Sequence, residues 1–143
     1  MNKNLAYVDG SYLNSTGKVG AAFILFDSTG KQFIGQYTLD NSTNMRNVAG
    51  EIVAAQKVVE KALKLHMEEL TIYYDYMGIE KWAKKEWKRN KKWTIDYCEK
   101  MQEYMKKIKL SFVKVEAHTG VELNEKVDEL AKLALSRDID TYL

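Results

Sequence analysis

The chain has 143 residues, of which 45% are hydrophobic and 29% are charged. This length and composition predict one globular domain over residues 1–143 and exclude a disordered or fibrous protein. The one cysteine, Cys98, excludes an internal disulfide framework and a cysteine-based zinc site. Its isolation is typical of a reducing compartment, so we expect a cytoplasmic protein. No apolar run reaches the length of a signal peptide or a membrane span, and we expect no membrane association.

The formal net charge of +2 conceals an uneven distribution. Residues 81–93 carry seven lysines and arginines against one acid, Glu86, so the rest of the chain is net acidic. This asymmetry indicates a basic patch for a polyanion beside a carboxylate-rich region that needs a cation.

The first part of the chain predicts three strands and a helix. Apolar and β-branched stretches predict strands at 5–8, 19–26 and 32–39. The short turn at 27–30 requires the second and third strands to be antiparallel. Apolar residues at steps of three and four then predict an amphipathic helix over 47–66.

The second part alternates helices with strands. The short β-branched and aromatic stretch at 70–74 predicts a strand that returns after the helix, parallel to the first strand. The elements predicted after it are a lysine-rich helix at 79–89, a helix at 96–108, a strand at 110–115 and a helix at 123–136. This order indicates an α/β protein with one mixed sheet and helices on both faces.

Two aspartates follow the predicted parallel strands. Asp9 ends the first strand and Asp75 ends the fourth. Each alone is weak evidence, because Asp9-Gly10 is also an ordinary turn pair. If the two strands are neighbours, both carboxylates emerge at the same edge of the sheet, where ligands of α/β proteins bind and where their repulsion calls for a cation.

Two helices offer further carboxylates. Glu51 falls on the apolar stripe of its helix, although a glutamate at the edge of such a stripe can also extend to water. In the last helix, periodicity prefers Asp128 only slightly, because it flanks the apolar side and has Asn124 one turn earlier. Its acidic neighbours are Glu122, Glu125 and Glu129.

Carboxylates that converge at the end of a sheet, with one cysteine and two histidines in the chain, favour magnesium or manganese over zinc. Such a site suits phosphoryl transfer. Two ions can activate a water molecule and stabilise the leaving oxygen, so the protein need not supply a covalent nucleophile.

Five short motifs together closely resemble type 1 ribonuclease H. They are Tyr-Val-Asp-Gly-Ser at 7–11, Ala-Gly-Glu at 49–51, Tyr-Asp-Tyr at 74–76, Ala-His-Thr-Gly at 117–120 and Asn-Glu-Lys-Val-Asp-Glu-Leu-Ala at 124–131. The resemblance covers almost the whole chain. It implies a ribonuclease H-like α/β fold with a five-stranded mixed sheet, in which strands 1–3 are antiparallel and strands 4 and 5 run parallel to strand 1.

The resemblance also implies roles for single residues. It makes His118 a loop histidine that assists proton transfer or product release. The metal ligands that it implies are Asp9, Glu51, Asp75 and Asp128. The substrate contacts expected with it are Gly10, Ser11, Asn14, Asn44, Arg46, Asn124, Lys88 and Trp93, although turn and helix-cap chemistry alone would also explain Asn14, Asn44 and Arg46.

The chain departs from the family pattern after the third carboxylate. Many members have Ser-Gln where this chain has Tyr76-Met77, which puts one polar substrate contact in doubt. The basic insertion of some bacterial members is shortened here. Residues 84–93 still carry Trp87 and Trp93, which either contact the substrate or pack into the protein.

The activity implied by the resemblance is hydrolysis of the RNA strand of an RNA–DNA hybrid. We expect two Mg²⁺ ions, with Mn²⁺ able to substitute, products with 5′-phosphate and 3′-hydroxyl ends, and a monomer. The alternative is a catalytically weak or inactive nucleic-acid-binding module of the same fold. A DNA nuclease or strand-transfer domain is a further alternative, which activity on duplex DNA would favour.

Overall fold

The structure is a computed structural model, and it describes residues 3–13, 17–40, 47–115 and 122–137. In these ranges five strands form one sheet and four helices surround it. The elements are β1 (Leu5–Leu13), β2 (Lys18–Phe26), β3 (Gln32–Asp40), α1 (Asn47–Lys64), β4 (Glu69–Tyr74), α2 (Gly78–Ala83), α3 (Lys92–Met105), β5 (Lys109–Lys114) and α4 (Glu122–Arg137).

The sheet has the strand order β3-β2-β1-β4-β5. The first three strands pair antiparallel, whereas β4 is parallel to β1 and β5 is parallel to β4. The predicted five-stranded mixed sheet is therefore confirmed. The two strands that precede Asp9 and Asp75 are neighbours, so both aspartates lie at the same edge.

Helices cover the two faces of the sheet unequally. The larger core lies between the sheet and α1, α2 and α3, and includes Val8, Ile72 and Met101. The smaller core lies under α4, where Val127 and Ala131 pack on β2. Both faces are thus sealed by apolar side chains, which is the main source of stability for a domain of this size.

Gly50 and Gly20 let the backbones approach closely beside the carboxylates. A β-carbon at Gly50 would overlap the carbonyl oxygen of Gly20 and the α-carbon of Gly10, and one at Gly20 would overlap the carbonyl of Ala131. Because no side chain intervenes, α1 and α4 lie directly against the strands. The close contact of Gly50 with β1 and β2 sets how deeply the next residue, Glu51, lies at the edge of the sheet.

Three predicted boundaries differ most from the structure. β1 continues to Leu13 because it stays paired with β2 well past Asp9. The second helix ends at Ala83 instead of residue 89, because Lys85 adopts a left-handed conformation with φ of 64° that breaks the helix. The third helix begins at Lys92 instead of residue 96, because the Thr94 hydroxyl accepts a hydrogen bond from the backbone N–H of Lys91.

In the ranges that the structure describes, every helix is too short or too polar to cross a membrane.

Candidate active site

Glu51 is the most deeply buried carboxylate of the site, with 4% of its surface exposed. The backbone N–H of Asp75 donates to its Oε2 at 2.7 Å, and the N–H of Tyr76 donates to its Oε1 at 3.2 Å. Burial raises the pKa of Glu51 well above its usual range, and the charges of Asp9 and Asp75 raise it further. Glu51 therefore ties α1 to the turn that follows β4.

Asp9 lies inside β1, opposite Ala22 of β2, and is half-buried. The parallel pairing with β4 ends at Tyr7, so Asp9 lies just beyond the point where β1 and β4 separate. The backbone N–H of Gly10 donates to its Oδ1 at 2.9 Å. Burial raises the pKa of Asp9 to about 8, and the neighbouring Asp128 and Asp75 contribute to this rise.

The remaining two carboxylates come from separate elements. Asp75 directly follows β4, and Asp128 lies on α4, one turn after the buried Asn124. Both aspartates are half-buried. Lys132 forms an ion pair with Asp128, with its Nζ 2.9 Å from Oδ2, and this contact raises the pKa of the lysine.

The four predicted carboxylates come together at one place. The carboxylates of Asp75 and Asp128 contribute to the raised pKa of Asp9, and those of Asp9 and Asp75 contribute to the raised pKa of Glu51. Within the described part of the chain, however, no three acidic, histidine or cysteine side chains are arranged to hold a metal ion as they stand. A cluster of hard oxygen donors in a partly dry setting is costly unless a cation or a proton compensates it.

The structure places some of the expected substrate contacts around this cluster. Gly10 is buried and Ser11 is half-buried on β1, both next to Asp9, whereas Lys88 is exposed on the segment after α2. Trp93 is partly buried and its ring lies 5.3 Å from that of Trp82, so it packs into the core. His118, Asn14, Asn44 and Arg46 lie outside the described residues.

Sequence reasoning missed two residues beside the carboxylates. Lys132 stands four residues after Asp128, which is the spacing of a helical ion pair and could have identified it. Tyr76 was noted only as a departure from a family pattern. The hydrogen bond from its N–H to Glu51 carries no signal in the sequence, because it depends on how α1 meets the end of β4.

The RNase H family model matches residues 1–136. The chain belongs to the RNase H family. A ribonuclease H of Ehrlichia ruminantium is 30% identical over 141 residues, which cover 92% of this chain and 94% of the relative. RNase H1 of the archaeon Halobacterium salinarum has the same fold, with a TM-score of 0.78 at 22% identity, covering 95% of this chain and 99% of that one.

A second solved structure of the same fold is LC11-RNase H1, isolated from compost, in complex with an RNA/DNA hybrid. Its TM-score is 0.71 at 18% identity, and the match covers 93% of this chain and 99% of that chain. The family and its curated relatives bear the name of a nuclease. This RNase H family member is accordingly an enzyme of the nuclease class.

Proposed function

We propose that this RNase H family member is an endonuclease that hydrolyses the RNA strand of RNA–DNA hybrids and leaves 5′-phosphate and 3′-hydroxyl ends. The observation that carries the proposal is the meeting of four carboxylates, from β1, α1, the end of β4 and α4, at one edge of the sheet. Family membership and the hybrid-bound LC11-RNase H1 support the choice of substrate.

The donor set fits a divalent cation. Asp9, Glu51, Asp75 and Asp128 offer only hard oxygen atoms. Burial, together with the neighbouring carboxylates, raises the pKa values of Asp9 and Glu51, so their charged forms would be stabilised by a cation. These four side chains would hold two Mg²⁺ ions, or Mn²⁺ in their place. When bound, the cations supply the positive charge that activates water and stabilises the departing oxygen of a phosphodiester.

The protein's own part in the reaction is to position these groups. The N–H of Gly10 orients Asp9, and the N–H groups of Asp75 and Tyr76 orient Glu51. Because the three donors belong to the backbone, their directions are fixed before any ligand arrives. Asp128 approaches from α4, so it closes the site on the side opposite Glu51. His118 has the proposed role of assisting proton transfer or product release.

The proposal is tested with one labelled sequence prepared as an RNA–DNA hybrid, as duplex RNA and as duplex DNA. Each substrate is incubated with Mg²⁺, with Mn²⁺ and with chelator, and products are analysed for their end groups. Variants Asp9→Asn, Asp75→Asn and Asp128→Asn are compared with Glu125→Gln, which alters an exposed acid on the same helix as Asp128.

We expect metal-dependent cleavage of only the RNA strand of the hybrid, lost by about 100-fold or more in the three aspartate variants and retained in Glu125→Gln. Robust activity of Asp9→Asn or Asp75→Asn would refute the assignment of the site. Binding of the hybrid without cleavage under every metal condition would instead establish the inactive-module alternative. Cleavage of duplex DNA would favour a DNA nuclease.

One copy of the chain supplies all four carboxylates, so we propose that it acts as a single-domain monomer. The single cysteine, Cys98, supports the further proposal that it works in the reducing cytoplasm. Light scattering after size-exclusion chromatography measures its mass in solution, and a value near 16.5 kDa is expected. A stable dimer would contradict the monomer.

A further inference from the structure

Tyr76 is an exposed aromatic residue directly beside the carboxylates. It follows Asp75, and its own N–H is one of the donors to Glu51. Its side chain is nevertheless 36% exposed. The backbone of Tyr76 is therefore tied to the site, while one part of its ring faces outward.

Two tryptophan rings pack against the ring of Tyr76. Its ring centroid lies 5.7 Å from that of the buried Trp82 and 6.2 Å from that of Trp87, which it meets edge to face. Gly78 makes this packing possible, because a β-carbon there would lie 2.5 Å from the rings of both Tyr76 and Trp82. The result is a rigid aromatic ledge, formed by Tyr76, Trp82 and Trp87, that leads away from the carboxylates.

The ledge lies between two regions of opposite charge. The carboxylate cluster is at one end, and the lysine-rich segment that follows α2 is at the other, with exposed Lys85 and Lys88. Trp82 lies at the back of the ledge and is only 8% exposed. Tyr76 is the ledge residue nearest to the carboxylates, so a duplex that spans the two regions passes over its ring.

We propose that Tyr76 determines substrate affinity by packing its ring against a sugar of the nucleic acid next to the cleaved phosphodiester. The inference rests on the proposed function and deepens it. Paired bases in a duplex are stacked on one another and closed to an aromatic side chain, whereas the apolar faces of the sugars are open at the groove edge. A flat, pre-positioned ring gains this contact at little cost in conformational entropy.

The surroundings of the ring support this contact. Trp82 and Trp87 pack against the ring of Tyr76, and Gly78 leaves room for that packing. Tyr76 therefore acts on substrate binding, whereas the carboxylates act on the chemical step.

The test compares KM and kcat for hybrid cleavage in Tyr76→Ser, Tyr76→Leu and Tyr76→Phe. Ile34→Ala is the matched control, since Ile34 is similarly exposed (40%) but lies on the edge strand β3. Binding of the same hybrid in chelator is measured by fluorescence anisotropy. Thermal melts of each variant report whether the fold is kept, and Tyr76→Leu preserves apolar packing on Trp82 if the serine variant does not fold.

We expect Tyr76→Ser and Tyr76→Leu to raise KM and the dissociation constant by about tenfold, the effect of losing one aromatic contact, with kcat changed less than twofold. Tyr76→Phe should restore the wild-type KM, because the ring and not the hydroxyl makes the contact. KM within twofold of wild type in folded Ser and Leu variants would overturn the inference. So would a loss confined to kcat, which would mean that Tyr76 acts through Glu51.

Failure of the proposed function looks different. In that case the wild-type protein itself does not cut the hybrid, whatever residue occupies position 76. If the wild type then also fails to bind the hybrid in chelator, the inference about Tyr76 is overturned as well.

Discussion

Asp9 illustrates how a single residue of this site works against the stability of the fold. Its pKa is about 8 in the folded chain and about 3.9 in an unfolded chain, so the folded state holds the proton more tightly. The stability contributed by the protonated form is complete below about pH 4 and is lost as the pH rises towards 8. Without a cation, the charged cluster therefore opposes folding at neutral and alkaline pH.

We predict that Asp9→Asn stabilises the metal-free protein in a pH-dependent way. In chelator, its melting temperature should exceed that of the wild type by about 3–8 °C at pH 8, with the difference vanishing near pH 4. Calorimetric or circular dichroism melts at several pH values measure this. Asp96→Asn, at an exposed position on α3, serves as control, and a gain independent of pH would contradict the explanation.

Lys132 acts as a built-in counter-charge for the same cluster. It forms an ion pair with Asp128, and the charge of Asp9 also contributes to its raised pKa. A cation that arrives at the cluster must share these carboxylates with the ammonium group, so Lys132→Met should tighten Mn²⁺ binding by about threefold. Titration calorimetry with Mn²⁺ alone checks this. Lys126→Met, an exposed change on the same helix, should leave the affinity unchanged, and equal or weaker binding by Lys132→Met would show that the ion pair does not compete.

At the scale of elements, the site depends on how closely α1 approaches the sheet. A methyl group at Gly50 would overlap the carbonyl oxygen of Gly20 and lie 2.9 Å from both the α-carbon of Gly10 and Cγ1 of Val19. Most of these neighbours are backbone atoms, which have little freedom to move, so α1 itself must shift outward. The consequence reaches Glu51, the next residue, whose hydrogen bonds to Asp75 and Tyr76 depend on its depth.

We therefore predict that Gly50→Ala lowers the free energy of unfolding by about 1–3 kcal/mol, as overpacking of a closed contact does. Hybrid cleavage should fall more than stability alone explains, because the carboxylate moves with the helix. Urea denaturation and cleavage assays below the melting transition separate the two effects. Gln56→Ala, on the same helix, is the control, and a Gly50→Ala protein with unchanged stability would contradict the close packing.

Tyr97 links α3 to α2. Its buried hydroxyl donates to the carbonyl oxygen of Ile79 at 2.7 Å. Tyr97→Phe would remove this buried hydrogen bond between α3 and α2, which should cost about 0.5–1.5 kcal/mol of stability. The same urea titration measures this change, and a stability equal to that of the wild type would show that the bond does not hold the two helices together.

On the scale of the whole molecule, structural features that follow from a repeating residue pattern are predicted well from the sequence. Features that depend on a single tertiary contact are predicted poorly. The antiparallel pairing of β2 with β3, the parallel direction of β4 and the place of Glu51 on the apolar stripe of α1 follow from short turns, alternation and helical period. The complete five-stranded sheet is implied only by the resemblance to ribonuclease H. The end of α2 does not follow from the residue pattern, because the lysine-rich pattern continues through Lys85 while the backbone there turns left-handed. The continuation of β1 past Asp9 is decided by its partner β2 and not by its own residues.

The uneven charge of the whole molecule leads to the last prediction. Exposed Lys88 belongs to the basic segment near the site. Lys64, equally exposed, ends α1 thirteen residues after Glu51 and so lies about 20 Å along the helix axis from the carboxylates. If the duplex spans the carboxylates and the basic segment, Lys88 contacts its phosphates and Lys64 does not.

Hybrid binding in chelator should weaken steeply with salt, because each neutralised phosphate releases condensed cations. Lys88→Ala should reduce the slope of log K against log salt by about 1, whereas Lys64→Ala should leave the slope unchanged. Anisotropy titrations between about 50 and 200 mM salt measure both slopes. Equal slopes in the two variants would mean that the duplex does not reach the segment after α2. The proposal that the duplex passes over the Tyr76 ledge would then be contradicted.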